Sequence, residues 1–262
     1  MTVLAGLHHV EMVMGTAVSI DVLDGEDPAL VDELVGWFHR VDEVFSPYRA
    51  DSVVSRIGLG DVAEAVATAG DMVPEVLDVL HACEEMKVLT DGVFDPWAVE
   101  APTGGRFDPS GYVKGWSVER AASFLEARGC RRFTINAGGD IVVRGRGADG
   151  EPWRVGIRHP HHSQALAAVV GLDGPCAIAT SGSYERGTHV LDPRDGLVAN
   201  SIASATVIGP SLAVADAFAT TLYVMGLDGL AWLSLQPGYT GCIITHALQM
   251  LSTDAFDAHL VA

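Results

Sequence analysis

Basic residues are scarce in this 262-residue chain. Lysine and arginine together number 16, against 34 aspartates and glutamates, so the formal net charge is −18 at pH 7. This excess of negative charge argues against nucleic-acid binding and against docking on an anionic membrane, because both need a cationic surface. An anionic ligand would have to be held by local groups, namely backbone N–H groups, a few lysines or arginines, or a divalent cation.

Cysteines are few, and the familiar nucleotide-binding and hydrolase motifs are missing. The four cysteines are widely spaced and form no CxxC pair, which favours buried free thiols in a reducing compartment over a disulfide framework or a zinc site. No GxGxxG motif opens a predicted helix, and GxxxxGK(S/T) and GxSxG are absent. These absences argue against a Rossmann dinucleotide site, a P-loop and a serine-hydrolase nucleophile elbow.

Long apolar runs are also absent. No stretch approaches the roughly 20 apolar residues that span a bilayer. The N-terminal segment MTVLAGLHHVEM has neither a basic start nor a lipid-anchoring cysteine. We therefore expect a soluble cytoplasmic protein without membrane insertion.

Apolar patterning predicts interleaved helices and strands. Helices are expected from 28 to about 44, from 73 to 88 with Val76, Leu77, Leu80 and Cys83 facing inward, within 111–129, and from 211 to about 225. Strands are expected over 12–22, 133–136, 140–145, 153–158, 166–172, 177–182, 205–209 and 241–246. Because no regular βαβ repeat is visible, we expect an α+β fold, with mixed or antiparallel sheets and flanking helices, as one compact domain over residues 1–262.

Asp216 and Thr220 lie four residues apart in the predicted helix SLAVADAFATTLYVM, so their side chains project from the same face. Their neighbours are apolar, and a buried carboxylate is costly unless it is paired or bound to a metal. A carboxylate and a hydroxyl suit a hard cation such as Mg²⁺ or Ca²⁺. The alternative, on spacing alone, is an exposed Asp216 near the helix start and a Thr220 hydroxyl bonded to a helix carbonyl.

Other polar stretches each allow two interpretations. The paired glycines of NAGGDIVVRG (136–145) permit a close approach to a ligand, or a tight turn capped by Asp140. Histidine titrates near neutrality, so His189 is either a general base or a structural, hydrogen-bonded residue. Lys114, at the start of a predicted helix, is either a solvated charge or a local cation for an anionic ligand.

Taken in order, these stretches resemble the ApbE family of FAD:protein FMN transferases. The resemblance spans roughly residues 12–226 and rests on MGT (14–16), FSPYRADSVVSRI (45–57), TDGVFDP (90–96), FDPSGYVKGWSVERAASFLEARG (107–129), NAGGDIVVRG (136–145), TSGSYERG (180–187), HVLDPRDG (189–196) and ATVIGPSLAVADAFATTLYVMG (205–226). It implies a domain that binds FAD as substrate together with Mg²⁺, or alternatively Ca²⁺ or Mn²⁺. It also implies a reaction that transfers FMN to a Ser or Thr hydroxyl of an acceptor flavoprotein and releases AMP.

The same resemblance implies roles for individual residues. The Gly111 carbonyl and the side chains of Asp216 and Thr220 fall at the metal-binding positions, and His189 is a candidate catalytic base. Contacts with FAD are implied for Met14, Tyr48, Val93, Phe94, Asp95, Asp108, Lys114 and Leu191. The segment between Asp95 and Asp108 is short for the family, which predicts a more open pocket.

Two alternatives to protein flavinylation are open at this level. With water as acceptor, the same chemistry would hydrolyse FAD to FMN and AMP. A flavin-binding protein without turnover would form neither product. The sequence does not distinguish among these three.

Overall fold

An antiparallel sheet of eight strands organises the fold. The computed structural model describes residues 6–25, 27–182 and 190–261. Its strands are β1 (Leu7–Val13), β2 (Thr16–Val22), β3 (Phe133–Ala137), β4 (Asp140–Arg144), β5 (Trp153–His159), β6 (His162–Leu172), β7 (Cys176–Gly182), β8 (Ser204–Gly209), β9 (Thr240–Ile244) and β10 (Met250–Ser252). The order across the sheet is β1-β2-β3-β4-β7-β8-β9-β10, whereas β5 and β6 form a separate hairpin.

Helices fill the long connections between the strands. They are α1 (Ala29–Phe45), α2 (Val53–Gly58), α3 (Val62–Ala67), α4 (Val73–Leu89), α5 (Ser110–Ala127), α6 (Leu212–Met225) and α7 (Gly229–Leu233). The start of α1 follows the sequence signal, because Asp27 Oδ1 accepts the Ala29 N–H at 3.0 Å just before the first turn. None of the described helices is both long and apolar enough to cross a bilayer.

The two faces of the sheet contact different layers. On one face, alternate strand residues join the helices in a large apolar core, and on the other a smaller core packs against the β5–β6 hairpin. Strand β7 shows the alternation directly, since Ala177 and Ala179 belong to the first core while Cys176 and Ile178 belong to the second. The structure is therefore layered as helices, sheet and hairpin, and the α+β prediction is confirmed.

Helices α5 and α6 lie in close contact within the helical layer. A Cβ built at Gly115 would lie 2.5 Å from the Leu212 carbonyl oxygen, so only glycine allows this approach. The start of α6 is fixed by α5, because Glu119 Oε2 accepts the Ser211 hydroxyl at 2.7 Å and the Ala213 N–H at 3.3 Å. The middle of α6 is consequently held against the first turns of α5.

The structure corrects two local predictions. The single strand predicted over 12–22 is wrong, because Met14 and Gly15 have φ values of +54° and +70° and turn the chain between β1 and β2. In α4 the inward position predicted for Leu77 is also wrong, since this side chain is exposed, while Val79 and Met86 are buried. The prediction of free buried thiols holds for Cys83, Cys130, Cys176 and Cys242.

Candidate functional site

Three elements bring oxygen donors together beside the α5–α6 contact. Asp216 is buried in the second turn of α6, and its Oδ2 accepts the N–H of Gly115 at 3.1 Å. One turn further on, the Thr220 hydroxyl lies 3.1 Å from the Ser181 hydroxyl at the end of β7. A Cβ built at Gly111 would lie 3.6 Å from Thr220 Oγ1, so the first turn of α5 closes the group. The three residues predicted to bind a metal are therefore neighbours in space.

The Gly115 N–H affects how well the Gly111 carbonyl can bind a ligand. In a regular α-helix the N–H of residue 115 donates to the carbonyl of residue 111. Here that N–H also has the Asp216 carboxylate within hydrogen-bond distance, so the helix bond at this turn is shared with a neighbouring helix. A carbonyl near a helix N-terminus whose usual donor is shared in this way is well suited to accept a further ligand.

Lys114 is the basic residue of this cluster. Its Nζ lies 2.5 Å from Asp140 Oδ2 and 3.9 Å from Asp216 Oδ1, and its side chain is 21% exposed. Asp140 is fully buried at the first position of β4, where its Oδ1 accepts the Thr180 N–H at 3.1 Å. Lys114 is thus a largely buried charge that lies beside Asp216, one of the predicted metal ligands.

Two adjoining cavities meet at this cluster, with volumes of about 480 and 340 Å³. Both are lined by Tyr48, Ser110 and Lys114, so they form one elongated cleft. Met14 lines the larger cavity, and the smaller one is lined by the remaining described residues of the predicted site: Val93, Phe94, Asp95, Asp108, Gly111, Leu191, Asp216 and Thr220. The structure therefore places every described residue of the predicted site in one cleft.

Asp95 and Asp108 also have local roles in the cleft wall. Asp95 Oδ1 accepts the Trp97 N–H at 2.9 Å, and its Oδ2 forms an ion pair with Lys87 at 2.9 Å that raises the pKa of the lysine. Asp108 Oδ1 accepts the Ser110 N–H at 2.9 Å, at the start of α5. Both carboxylates already stabilise backbone around the segment between them.

The segment between these two aspartates is tightly anchored. The Trp97 and Phe107 rings are 4.2 Å apart, and Trp97 Nε1 donates to Glu84 of α4 at 2.9 Å. The Arg106 N–H donates to the Gly58 carbonyl at 2.9 Å, where the backbones of Gly58 and Gly105 are in contact. This short segment is held against α2 and α4 and forms a fixed wall of the cleft.

His189 lies outside the described residues, as do Ser183, Tyr184 and Arg186. Downstream, Arg194 forms a bidentate ion pair with Asp192, and this pair lowers the pKa of the Asp192 carboxyl group. Leu191, which lines the cleft, is the nearest described member of the predicted site on this side.

The donors of this cluster are of the type that hard cations prefer. One buried carboxylate, two hydroxyl groups and a helix carbonyl are all oxygen donors, the type preferred by Mg²⁺ and Ca²⁺. Among the residues that the structure describes, no group of three or more His, Cys, Asp or Glu side chains is arranged to hold a metal ion. The oxygen donors of Asp216, Thr220, Ser181 and Gly111 fit a hard divalent cation, which would keep part of its coordination for water or substrate oxygens.

The sequence and the fold agree with comparisons to known proteins. The ApbE family model matches residues 14–101 and 97–244, so the chain belongs to the ApbE family. A Vibrio cholerae relative named FAD:protein FMN transferase is 27% identical over 81% of this chain and 79% of its own length. A Klebsiella pneumoniae relative of the same name is 36% identical, but the alignment covers 45% of this chain and 37% of that protein.

Solved structures of the family share the fold. The ApbE protein of Thermotoga maritima gives a TM-score of 0.82 at 22% identity, over 98% of this chain and 100% of the other. The flavin transferase ApbE of Vibrio cholerae gives 0.78 at 22% identity, over 97% and 99% of the two chains. At this level of identity the likeness concerns the architecture alone.

Proposed function

We propose that this protein is a Mg²⁺-dependent FAD:protein FMN transferase. The observation that carries the proposal is the convergence of eleven predicted site residues, which come from six separate segments of the chain, on one cleft beside a cluster of oxygen donors. Family membership and the names of the relatives support the same reaction. The protein would cleave the FAD pyrophosphate, attach FMN through a phosphoester to a Ser or Thr of an acceptor flavoprotein, and release AMP.

The cleft offers distinct groups to the parts of FAD. Tyr48 is 66% exposed at the junction of the two cavities, so its ring is available to stack on an aromatic ligand. Val93, Phe94 and Leu191 supply apolar contacts in the smaller cavity. Lys114 lies where the cavities meet and would place its positive charge near the pyrophosphate, against the field of an acidic protein.

The oxygen cluster would hold the cation. Gly111 would contribute its carbonyl, Asp216 its carboxylate and Thr220 its hydroxyl, with Mg²⁺ preferred and Ca²⁺ or Mn²⁺ as alternatives. When bound, such a cation neutralises phosphate charge as the phosphoryl group is transferred. His189 is the proposed base that takes the proton of the acceptor hydroxyl. The protein's own contribution is to orient the pyrophosphate between Lys114 and this cluster.

The test is incubation with FAD, Mg²⁺ and a candidate acceptor, followed by mass spectrometry of the protein and chromatography of the nucleotides. Covalent FMN on the acceptor together with AMP supports the transferase. AMP with free FMN supports the hydrolytic alternative, and the absence of both products leaves a flavin-binding protein. Asp216→Ala should abolish metal-dependent turnover, so unchanged turnover in this variant would refute the metal assignment.

A further inference from the structure

Two buried carboxylates of the described chain face the same lysine. Among the described residues, Asp140 and Asp216 are the only acidic side chains that are buried. They come from different layers, Asp140 from the sheet and Asp216 from α6, and Lys114 of α5 lies between them. Within the described part of the chain, the cluster therefore brings two acidic side chains and one basic side chain together.

The two carboxylates do not share the lysine equally. The Lys114 ammonium is 2.5 Å from Asp140 Oδ2 and 3.9 Å from Asp216 Oδ1. Because Coulomb attraction falls with distance, the closer pair is the stronger one. The short contact is an ion pair, so charge attraction holds the ammonium beside Asp140.

The backbone keeps Asp140 in place to bind the lysine. Asp140 follows the two-residue turn Gly138–Gly139, and its other oxygen accepts the Thr180 N–H of the neighbouring strand. A fully buried carboxylate loses its hydration and needs a charged partner or several donors in return. Lys114 supplies the charged partner, and its flexible four-carbon stem would let it move to another carboxylate if this one were neutral.

We propose that Asp140 is a positioning residue that draws the Lys114 ammonium away from Asp216 and so keeps the Asp216 carboxylate available to a divalent cation. The inference rests on the proposed function only in that Asp216 binds such a cation. Without the negative charge of Asp140, Lys114 would pair with Asp216, the remaining buried carboxylate, and compete with the cation there. Asp140 itself would contact neither the cation nor the flavin.

The inference can be tested by cation binding without flavin or turnover. Mn²⁺ is the probe, and free Mn²⁺ is measured by electron paramagnetic resonance with the folded full-length protein. Asp140→Asn keeps the oxygen that accepts the Thr180 N–H and removes the charge. We expect the Mn²⁺ dissociation constant to rise about tenfold or more in this variant, since a positive charge then lies against the ligand.

A double variant separates this role from a structural one. If Asp140 acts through Lys114, Asp140→Asn combined with Lys114→Met should bind Mn²⁺ within about threefold of Lys114→Met alone, because the competing ammonium is gone. If Asp140 only supports the sheet, the double variant should stay as weak as Asp140→Asn, and the proposal fails. It also fails if Asp140→Asn binds Mn²⁺ as the wild type does, or if the wild type binds none.

Lys114→Met provides a test that does not require Asp140→Asn to fold. Lys114→Met alone should bind Mn²⁺ at least as tightly as the wild type, and weaker binding would overturn the proposal. The outcome is separable from that of the proposed function. If the wild type transfers no FMN but the Mn²⁺ titrations give the expected results, the transferase is refuted and the role of Asp140 is not. If the wild type transfers FMN but the Mn²⁺ titrations fail, only the role of Asp140 is refuted.

Discussion

The contact between α5 and α6 at Gly115 makes a quantitative prediction. A Cβ at this position would lie 2.5 Å from the Leu212 carbonyl oxygen and 3.0 Å from the Ala213 Cα, both backbone atoms that no rotamer change can move. In Gly115→Ala the two helices must separate by roughly 0.5–1 Å to restore ordinary contact distances. Such overpacking costs about 1–3 kcal/mol of unfolding free energy, offset by up to about 1 kcal/mol from the better helix propensity of alanine.

Gly36 in α1 offers the matched control. A Cβ there would meet only Arg40 Nη1, at 3.5 Å, so Gly36→Ala should gain the helix propensity without the clash. The difference between the two variants isolates the overpacking cost of about 1–3 kcal/mol, equivalent to a Tm difference of roughly 2–12 °C. Differential scanning calorimetry measures both. Equal melting temperatures would refute the claim that Gly115 sets the helix spacing.

The same pair of variants links the packing to the site. Gly115 also donates its N–H to Asp216, so moving the helices apart displaces the carboxylate from the first turns of α5. We expect weaker Mn²⁺ binding in Gly115→Ala and unchanged binding in Gly36→Ala. Retained Mn²⁺ affinity in a destabilised Gly115→Ala protein would show that the oxygen cluster tolerates this displacement.

Two further predictions concern α6 and the buried thiols. Thr220→Val should weaken Mn²⁺ binding, because the Thr220 hydroxyl faces Ser181 in the cleft. Thr221→Val should leave Mn²⁺ binding unchanged, because the Thr221 hydroxyl donates to the Ala217 carbonyl within the helix. Equal effects of the two substitutions in a Mn²⁺ titration would contradict the assignment of Thr220 as a metal ligand. Burial raises the pKa of the Cys242 thiol to about 12, so the folded state disfavours the thiolate. Stability from this thiol is present below the unfolded pKa of about 8.5 and is lost above it by about 1.4 kcal/mol per pH unit. Urea unfolding between pH 8 and 10.5 should show a shallower decline in Cys242→Ala, and parallel curves would refute the shift.

Much of the fold was predictable, and the errors have identifiable causes. The helix starting near Asp27 carries a capping signal and an apolar face, and both are local properties. The turn at Met14–Gly15 was missed because the apolar alternation of β1 continues into β2, and methionine is not a typical turn residue. Leu77 was misassigned because apolar residues are dense in α4, so more than one inward face fits the pattern.

The sequence by itself determined the chemical identity of the site groups and the pairing of Asp216 with Thr220. Those two residues are one helical turn apart, so helix geometry alone aligns them. Only the tertiary structure decided that Lys114 lies between Asp140 and Asp216 and that Ser181 meets Thr220. These contacts join separate elements, and their distances depend on how closely α5 packs on α6, which residue periodicity cannot specify. The paired glycines do form a tight turn, as one interpretation of the sequence predicts, but Asn136 Oδ1 and not Asp140 accepts the Gly139 N–H. Asp140 instead contacts Thr180 and Lys114 on other elements, and such partners are set by packing between elements.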